Sequence, residues 1–221
     1  MRVKRKKHGS ERLRSCEYTV IGEPEHMKNG LGELFGNDNP VCIEIGCGKG
    51  GFISALALAN PQVNYLAFER ISDVLVSAAE KIRDLGITNV KVCCINANTL
   101  GEYLPAGSVE KIYLNFSDPW PKKKHTKRRL TYRSFLEIYK GLLAENGEII
   151  MKTDNRPLFD FSLEELRENG FEIKECTFDL HADNPEDNIM TEYERRFSEQ
   201  GSKICRLKAV LLSAEPRSHA Q

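Results

Sequence analysis

None of the seven cysteines stands in a C-x-x-C pair, and the five histidines are scattered without metal-ligand spacing. A resident metal is therefore not expected. The odd cysteine count argues against a disulfide framework, and Cys42, Cys93 and Cys94, in apolar strand-like runs, read as reduced core thiols. No apolar run is long enough to span a bilayer, and the basic N-terminus lacks the apolar stretch of a signal peptide. These absences exclude a membrane span and point to a cytoplasmic protein. No internal repeat is visible, and 221 residues suit one domain better than two.

Net charge is also missing: 32 Lys and Arg balance 32 Asp and Glu. The balance hides strong local asymmetry. Residues 1–14 hold Arg2, Lys4, Arg5, Lys6, Lys7, Arg12 and Arg14 against the single acid Glu11. Residues 122–133 hold seven Lys or Arg and no acid, whereas residues 179–194 hold six acids and no Lys or Arg. A charge run is often only a solvated face. Two basic blocks in one chain nevertheless suit a polyanionic partner.

Strand and helix signals alternate, which predicts a mostly parallel sheet with helices on both faces. Strands are expected at 41–45, 65–68, 90–95, 111–116 and 148–152, with two more at 171–180 and 204–212 that pair antiparallel. Helices are expected at 72–85, 132–143 and 158–168, with another after the glycine turn Gly46-Cys47-Gly48-Lys49-Gly50-Gly51. The folded core spans 41–212, residues 1–15 read as a flexible basic arm, and the tail from Glu215 reads as disordered.

In such a sheet, ligands bind where the strands end, near the point at which strand order reverses. Gly46 to Gly51, Glu69, Asn96, Asp118 and Asp154 all follow strands, so one edge should gather them. The turn satisfies G-x-G-x-x-G, and Glu69 lies at a ribose-binding distance beyond it, which keeps a dinucleotide oxidoreductase in play. Glu44 argues against that, because an acid just before the turn would oppose a pyrophosphate. It suits S-adenosyl-L-methionine (SAM), which carries an ammonium and a sulfonium. Glu69 can accept from two ribose hydroxyls, and the Asn96 amide can donate to and accept from an adenine edge or serve as a plain turn residue.

The most informative stretch is Asn115-Phe116-Ser117-Asp118-Pro119-Trp120-Pro121, followed by Lys122-Lys123-Lys124-His125-Thr126-Lys127-Arg128-Arg129. The prolines forbid continuing the strand and force a turn at Asp118. The bland reading is an Asx-turn before proline. The functional one is a carboxylate beside a dense cationic run, suited to a nucleobase on a nucleic acid. A guanine N7 has a free lone pair and needs no general base; attack there leaves a positive purine that Asp118 can stabilise. The same carboxylate can select the guanine N1–H and N2–H2 edge. Trp120 either stacks on a base or wedges the loop.

Four segments carry a resemblance to a known family, the bacterial tRNA (guanine-N7-)-methyltransferases (TrmB). They are Glu44 to Gly50, Tyr113 to Lys122, Lys152-Thr153-Asp154-Asn155, and Asn188-Ile189-Met190-Thr191-Glu192-Tyr193-Glu194. The resemblance implies a Rossmann-like class I SAM-dependent fold of seven strands, the last antiparallel. It implies methylation of a guanine in the tRNA variable loop. By similarity, Glu44, Gly46, Gly48, Glu69, Asn96 and Asp118 meet SAM, with Asp118 also catalytic. Lys122, Asp154, Thr191, Glu192, Tyr193 and Glu194 meet the guanosine. Lys124, His125, Thr126, Lys127, Arg128 and Arg129 meet the RNA. No metal, membrane or obligatory protein partner is implied, and the expected state is a monomer or weak homodimer. The family usually carries Asp where this chain has Asn96.

Two further rivals remain at this level. An enzyme acting on an exocyclic amine tends to carry Asp/Asn-Pro-Pro-aromatic, whereas here the aromatic comes one place early, in Asp118-Pro119-Trp120-Pro121. A noncatalytic RNA-binding module would not need Glu44, Gly46, Gly48 and Glu69 together.

Overall fold

The structure is a computed structural model, and it describes residues 6–212. Its centre is an eight-stranded sheet in the order β1-β4-β3-β2-β5-β6-β8-β7. The strands are β1 (Val20–Ile21), β2 (Val41–Ile45), β3 (Asn64–Phe68), β4 (Val90–Cys93), β5 (Val109–Asn115), β6 (Leu143–Thr153), β7 (Phe171–Thr177) and β8 (Cys205–Leu211). The first six run parallel, and β8 lies antiparallel between β6 and β7. β2 and β3 are buried along their whole length, as expected of parallel strands covered on both faces.

The helices are α1 (Gly9–Arg14), α2 (Leu31–Phe35), α3 (Gly51–Ala59), α4 (Ser72–Asp84), α5 (Leu100–Tyr103), α6 (Arg133–Leu142), α7 (Arg156–Glu168), α8 (Leu180–Asp183) and α9 (Glu192–Ser198). On one face α3 and α4 bury Phe52, Ile53, Leu75 and Ile82 against Tyr65, Ala67 and Val92. On the other, α6 and α7 bury Leu136, Tyr139, Phe159 and Leu166 against Ile43, Ile112 and Met151. The hydrophobic effect thus fixes the sheet between two helical layers.

The strands at 41–45, 65–68 and 111–116 fall where the sequence places them, and the last strand is antiparallel as expected. Three features differ. First, β1 adds an eighth strand, two residues long and paired with β4. Second, residues 6–15 of the expected flexible arm are folded: Arg12 grips Glu80 of α4 through two 2.7 Å hydrogen bonds, and the Lys6 amide donates to Asp73. Residues 1–5 and the tail from Glu215 lie outside the described residues. Third, Asn146-Gly147 does not separate a helix from a strand. β6 begins at Leu143 and bulges there, pairing Leu143 with Val109 and then Glu148 with Lys111.

The chain leaves β2 toward β3 and β4, then returns to the other side of β2 as β5. Strand order therefore reverses between β2 and β5, and a crevice opens at their carboxyl ends.

Candidate active site

At that crevice lies a cavity of about 490 Å³ lined by Gly46, Glu69, Asn96 and Asp118. These residues follow the ends of four different strands. The parallel sheet is what gathers residues that the sequence spreads over 72 positions (118 minus 46). Phe68, Ile71, Ile95 and Phe135 supply apolar wall, while Arg70, Lys127 and Arg128 supply positive charge.

The glycine turn passes through the left-handed region at Gly46 (φ 83°), Gly48 (φ 57°) and Gly50 (φ 74°). At Gly50 a Cβ would also meet the Ala78 Cβ at 2.9 Å, so α3 and α4 approach too closely for any side chain there. Cys47, between the first two glycines, is buried, which pushes its thiol well above the usual range.

Glu44, in β2 two residues before Gly46, is 2% exposed and does not itself line the cavity. Its Oε1 accepts from the Asn115 Nδ2 at 3.0 Å, whereas its Oε2 is buried with no partner among the described residues. Burial pushes its carboxyl up to about 7, against the pull of Asn115 and Lys152. A buried carboxyl oxygen without a partner, two residues before the glycine turn, is a group that a ligand ammonium would satisfy. Glu69 accepts the Ile71 amide on Oε1 at 3.0 Å, and Asn96 accepts the Asn98 amide on its side-chain oxygen at 3.1 Å. In each case one polar atom is fixed by the backbone and the other end of the group remains for a ligand. The donor set therefore fits an adenosyl group bearing a cationic amino-acid end.

Asp118 is exposed on the rim, with Oδ2 3.8 Å from the Arg70 Nη2. Its turn is tightly specified: Phe116 (φ 50°) and Trp120 (φ 41°) both occupy the left-handed region. Trp120 lines the same cavity, with the Arg128 guanidinium 4.9 Å from its ring centre and His125 edge-on at 5.6 Å.

The basic run Lys123–Arg128 forms a 3-10 helix preceded by Lys122. Lys122, Lys124, Lys127 and Arg128 are exposed, and the last two reach the cavity mouth. The others named for RNA contact are engaged with their own chain. Thr126 donates its hydroxyl to the Lys123 carbonyl, His125 packs on Trp120, and Arg129 turns inward onto the carbonyls of Pro119 and Trp120.

The acidic segment divides in the same way. Thr191 caps α9 in a reciprocal box with Glu194, as its sequence position suggests. Glu194 is fully buried, and its oxygens are taken up by Lys152, Asn188 and the Thr191 amide. It has no free oxygen for a base. Glu192 reaches Lys81 of α4 at 2.8 Å and lies against Gly51. Tyr193 is the member still offered outward. It packs between Phe116 and Phe197, and its hydroxyl is pushed up by partial burial and then by the nearby charges of Asp154 and Asp118. Asp154 itself is half-buried just past β6.

Sequence reasoning gave no individual role to Asn115, Lys152 or Arg70. A lysine closing the apolar run Ile149-Ile150-Met151 was the available signal for a buried cation. Among the described residues, no group of three or more His, Cys, Asp or Glu could hold a metal, and no helix is long and apolar enough to cross a membrane.

Solved structures share this fold at low identity. An antibiotic-related methyltransferase superposes with a TM-score of 0.63 at 19% identity, covering 83% of this chain and 92% of its own. An rRNA methylase from Streptococcus thermophilus gives 0.54 at 15%, covering 90% and 95%. Sequence similarity goes much further. A family described as "Putative methyltransferase" matches residues 38–207. A tRNA (guanine-N(7)-)-methyltransferase of Streptococcus agalactiae is 47% identical over 95% of this chain and 99% of its own length. The enzyme of the same name from Streptococcus equi subsp. zooepidemicus is 47% identical over 95% and 100%. At that identity over nearly the full length of both chains, the chain belongs to the tRNA (guanine-N(7)-)-methyltransferase family.

Proposed function

We infer that this protein transfers the methyl group of SAM to N7 of a guanine in the tRNA variable loop, working in the cytoplasm as a monomer or weak homodimer. The observation that carries the reading is the meeting of Glu69, Asn96 and Asp118 in one cavity, with cations at its mouth.

SAM supplies an electrophilic methyl group on a sulfonium. The orphaned oxygen of Glu44 would hold its ammonium, Glu69 its ribose hydroxyls and Asn96 its adenine edge. Asp118 would accept from the guanine N1–H and N2–H2 edge, turning N7 toward the methyl group. As the N7 lone pair bonds to the methyl carbon and the bond to sulfur breaks, releasing S-adenosylhomocysteine, positive charge would grow on the purine, and the Asp118 carboxylate would stabilise it more than it stabilises the neutral base. No proton has to leave N7, so no general base is needed. Tyr193 and Asp154 flank the same rim and would complete the base site. Lys122, Lys124, Lys127 and Arg128 would hold the phosphates around it.

Labelled SAM incubated with unmodified tRNA, followed by chemical cleavage at N7-methylguanine, tests this directly. A labelled break in the variable loop is expected. Label retained on tRNA that does not cleave would point instead to an exocyclic amine.

A further inference from the structure

Arg129 ends the cationic run, yet its guanidinium faces the protein. Nε donates to the Pro119 carbonyl at 3.0 Å and Nη2 to the Trp120 carbonyl at 3.3 Å. The guanidinium carbon also sits 4.4 Å from the centre of the Phe161 ring, on α7. One planar group thus ties the two carbonyls that follow Asp118 to a helix under the sheet.

That turn needs holding. Bulky L residues at φ 50° (Phe116) and φ 41° (Trp120) occupy a sparsely populated region, which persists only where the surroundings over-determine it. At the strand end the Phe116 amide is fixed by the Lys152 carbonyl at 2.8 Å. At the far end the fixing groups are Arg129 and the rings and guanidinium around Trp120. Asp118 lies between the two anchors, and its own ion pair with Arg70 is long, at 3.8 Å. Its direction therefore comes from the turn.

We propose that Arg129 is a positioning residue for methyl transfer, holding Asp118 at the cavity rim, and that it is not a phosphate ligand. The proposal rests on the role of Asp118 given above. Lysine cannot replace the fork: it has charge and reach but no rigid pair of donors and no flat face for Phe161.

The test is Arg129→Lys, with Asp118→Asn measured beside it. Trp120 is the only tryptophan in the chain, so its fluorescence reports on the turn without reference to activity. Arg129→Lys should lower kcat at saturating tRNA at least about ten-fold, as a displaced catalytic group does. It should leave tRNA affinity and its salt dependence unchanged and make Trp120 more quenchable by acrylamide. Phe161→Leu, which touches no RNA-facing group, should shift kcat and quenching the same way by less. Unaltered kcat and quenching would overturn the proposal. So would a loss of affinity in the charge-removing Arg129→Gln, absent from Arg129→Lys, with a salt slope shallower by about 0.7 to 0.9, the mark of one phosphate no longer neutralised. If Asp118→Asn itself keeps full activity, the reading of Asp118 fails, whatever Arg129→Lys does to the fluorescence.

Discussion

The Lys152 ammonium lies 2.7 Å from the Glu194 carboxylate, with the two side chains 4% and 0% exposed. The remaining donors of Lys152 go to Asn188 Oδ1 at 3.0 Å and the Ile189 carbonyl at 2.8 Å. The pair thus pins residues 188–194 onto β6. Burial pulls the ammonium below its usual range, and Glu194 draws it back. Removing one partner leaves the other charge buried and alone. Lys152→Met or Glu194→Leu should each lower unfolding free energy by about 3–5 kcal/mol, and the double variant by clearly less than the sum. Urea unfolding of the three variants measures this; strict additivity would mean that the pair is not coupled.

Glu44 predicts a pH dependence. Its carboxyl, raised by burial to about 7, faces Asn115, Lys152, Glu69 and Cys47. A carboxyl whose folded value lies above its ordinary 4.5 favours the ligand-free fold at low pH, and that contribution fades as pH rises through about 7. Holding an ammonium needs the ionised form, so the two effects have opposite signs. SAM affinity should weaken as pH falls below about 7, approaching about ten-fold per unit, and Glu44→Gln should bind weakly with a flat profile. Calorimetry from pH 6 to 8 reads both. A sloping profile in the Gln variant would assign the titration elsewhere.

The cations that face outward predict a salt effect. Replacing Lys123, Lys124, Lys127 and Arg128 together by glutamine should weaken tRNA binding. It should also flatten the log-log salt dependence by about 0.7 to 0.9 for each phosphate that the variant leaves unneutralised. Filter binding at several salt concentrations checks it, and an unchanged slope would remove the phosphate role from this helix.

The sequence made legible whatever depends on local pattern. The apolar run at 41–45, the glycine turn and the proline-locked turn at Asp118 each announce themselves within a few residues, and parallel topology then brings their ends together. What escaped depends on partners far along the chain. Arg12 looked like part of a loose basic arm because Glu80, which holds it, lies 68 residues away. Glu194 looked like an available carboxylate because Lys152, 42 residues earlier, had no visible reason to be buried. Arg129 looked like its neighbours because composition does not say which way a guanidinium turns. β1 is two residues long, too short for any periodicity to show.

On the reading proposed above, Asp118 acts in the chemical step, and its removal should separate catalysis from binding. The side chain is exposed at the rim, and its only ion pair among the described residues is the long one to Arg70, so truncation opens no cavity and leaves no buried partner unsatisfied. Asp118→Ala should therefore melt close to the parent temperature. The carboxylate is needed most when the purine becomes positive, so its loss should appear in the chemical step, lowering kcat by about 10²–10³-fold. Phosphate contacts usually dominate nucleic-acid affinity, and the cations proposed to make them lie on the neighbouring 3-10 helix, so the dissociation constant should stay within about two-fold. Single-turnover methyl transfer with excess enzyme, beside equilibrium tRNA binding, distinguishes the two. A rate within a few-fold of the parent would show that N7 is oriented and its charge stabilised by other groups, with Asp154 the first to examine.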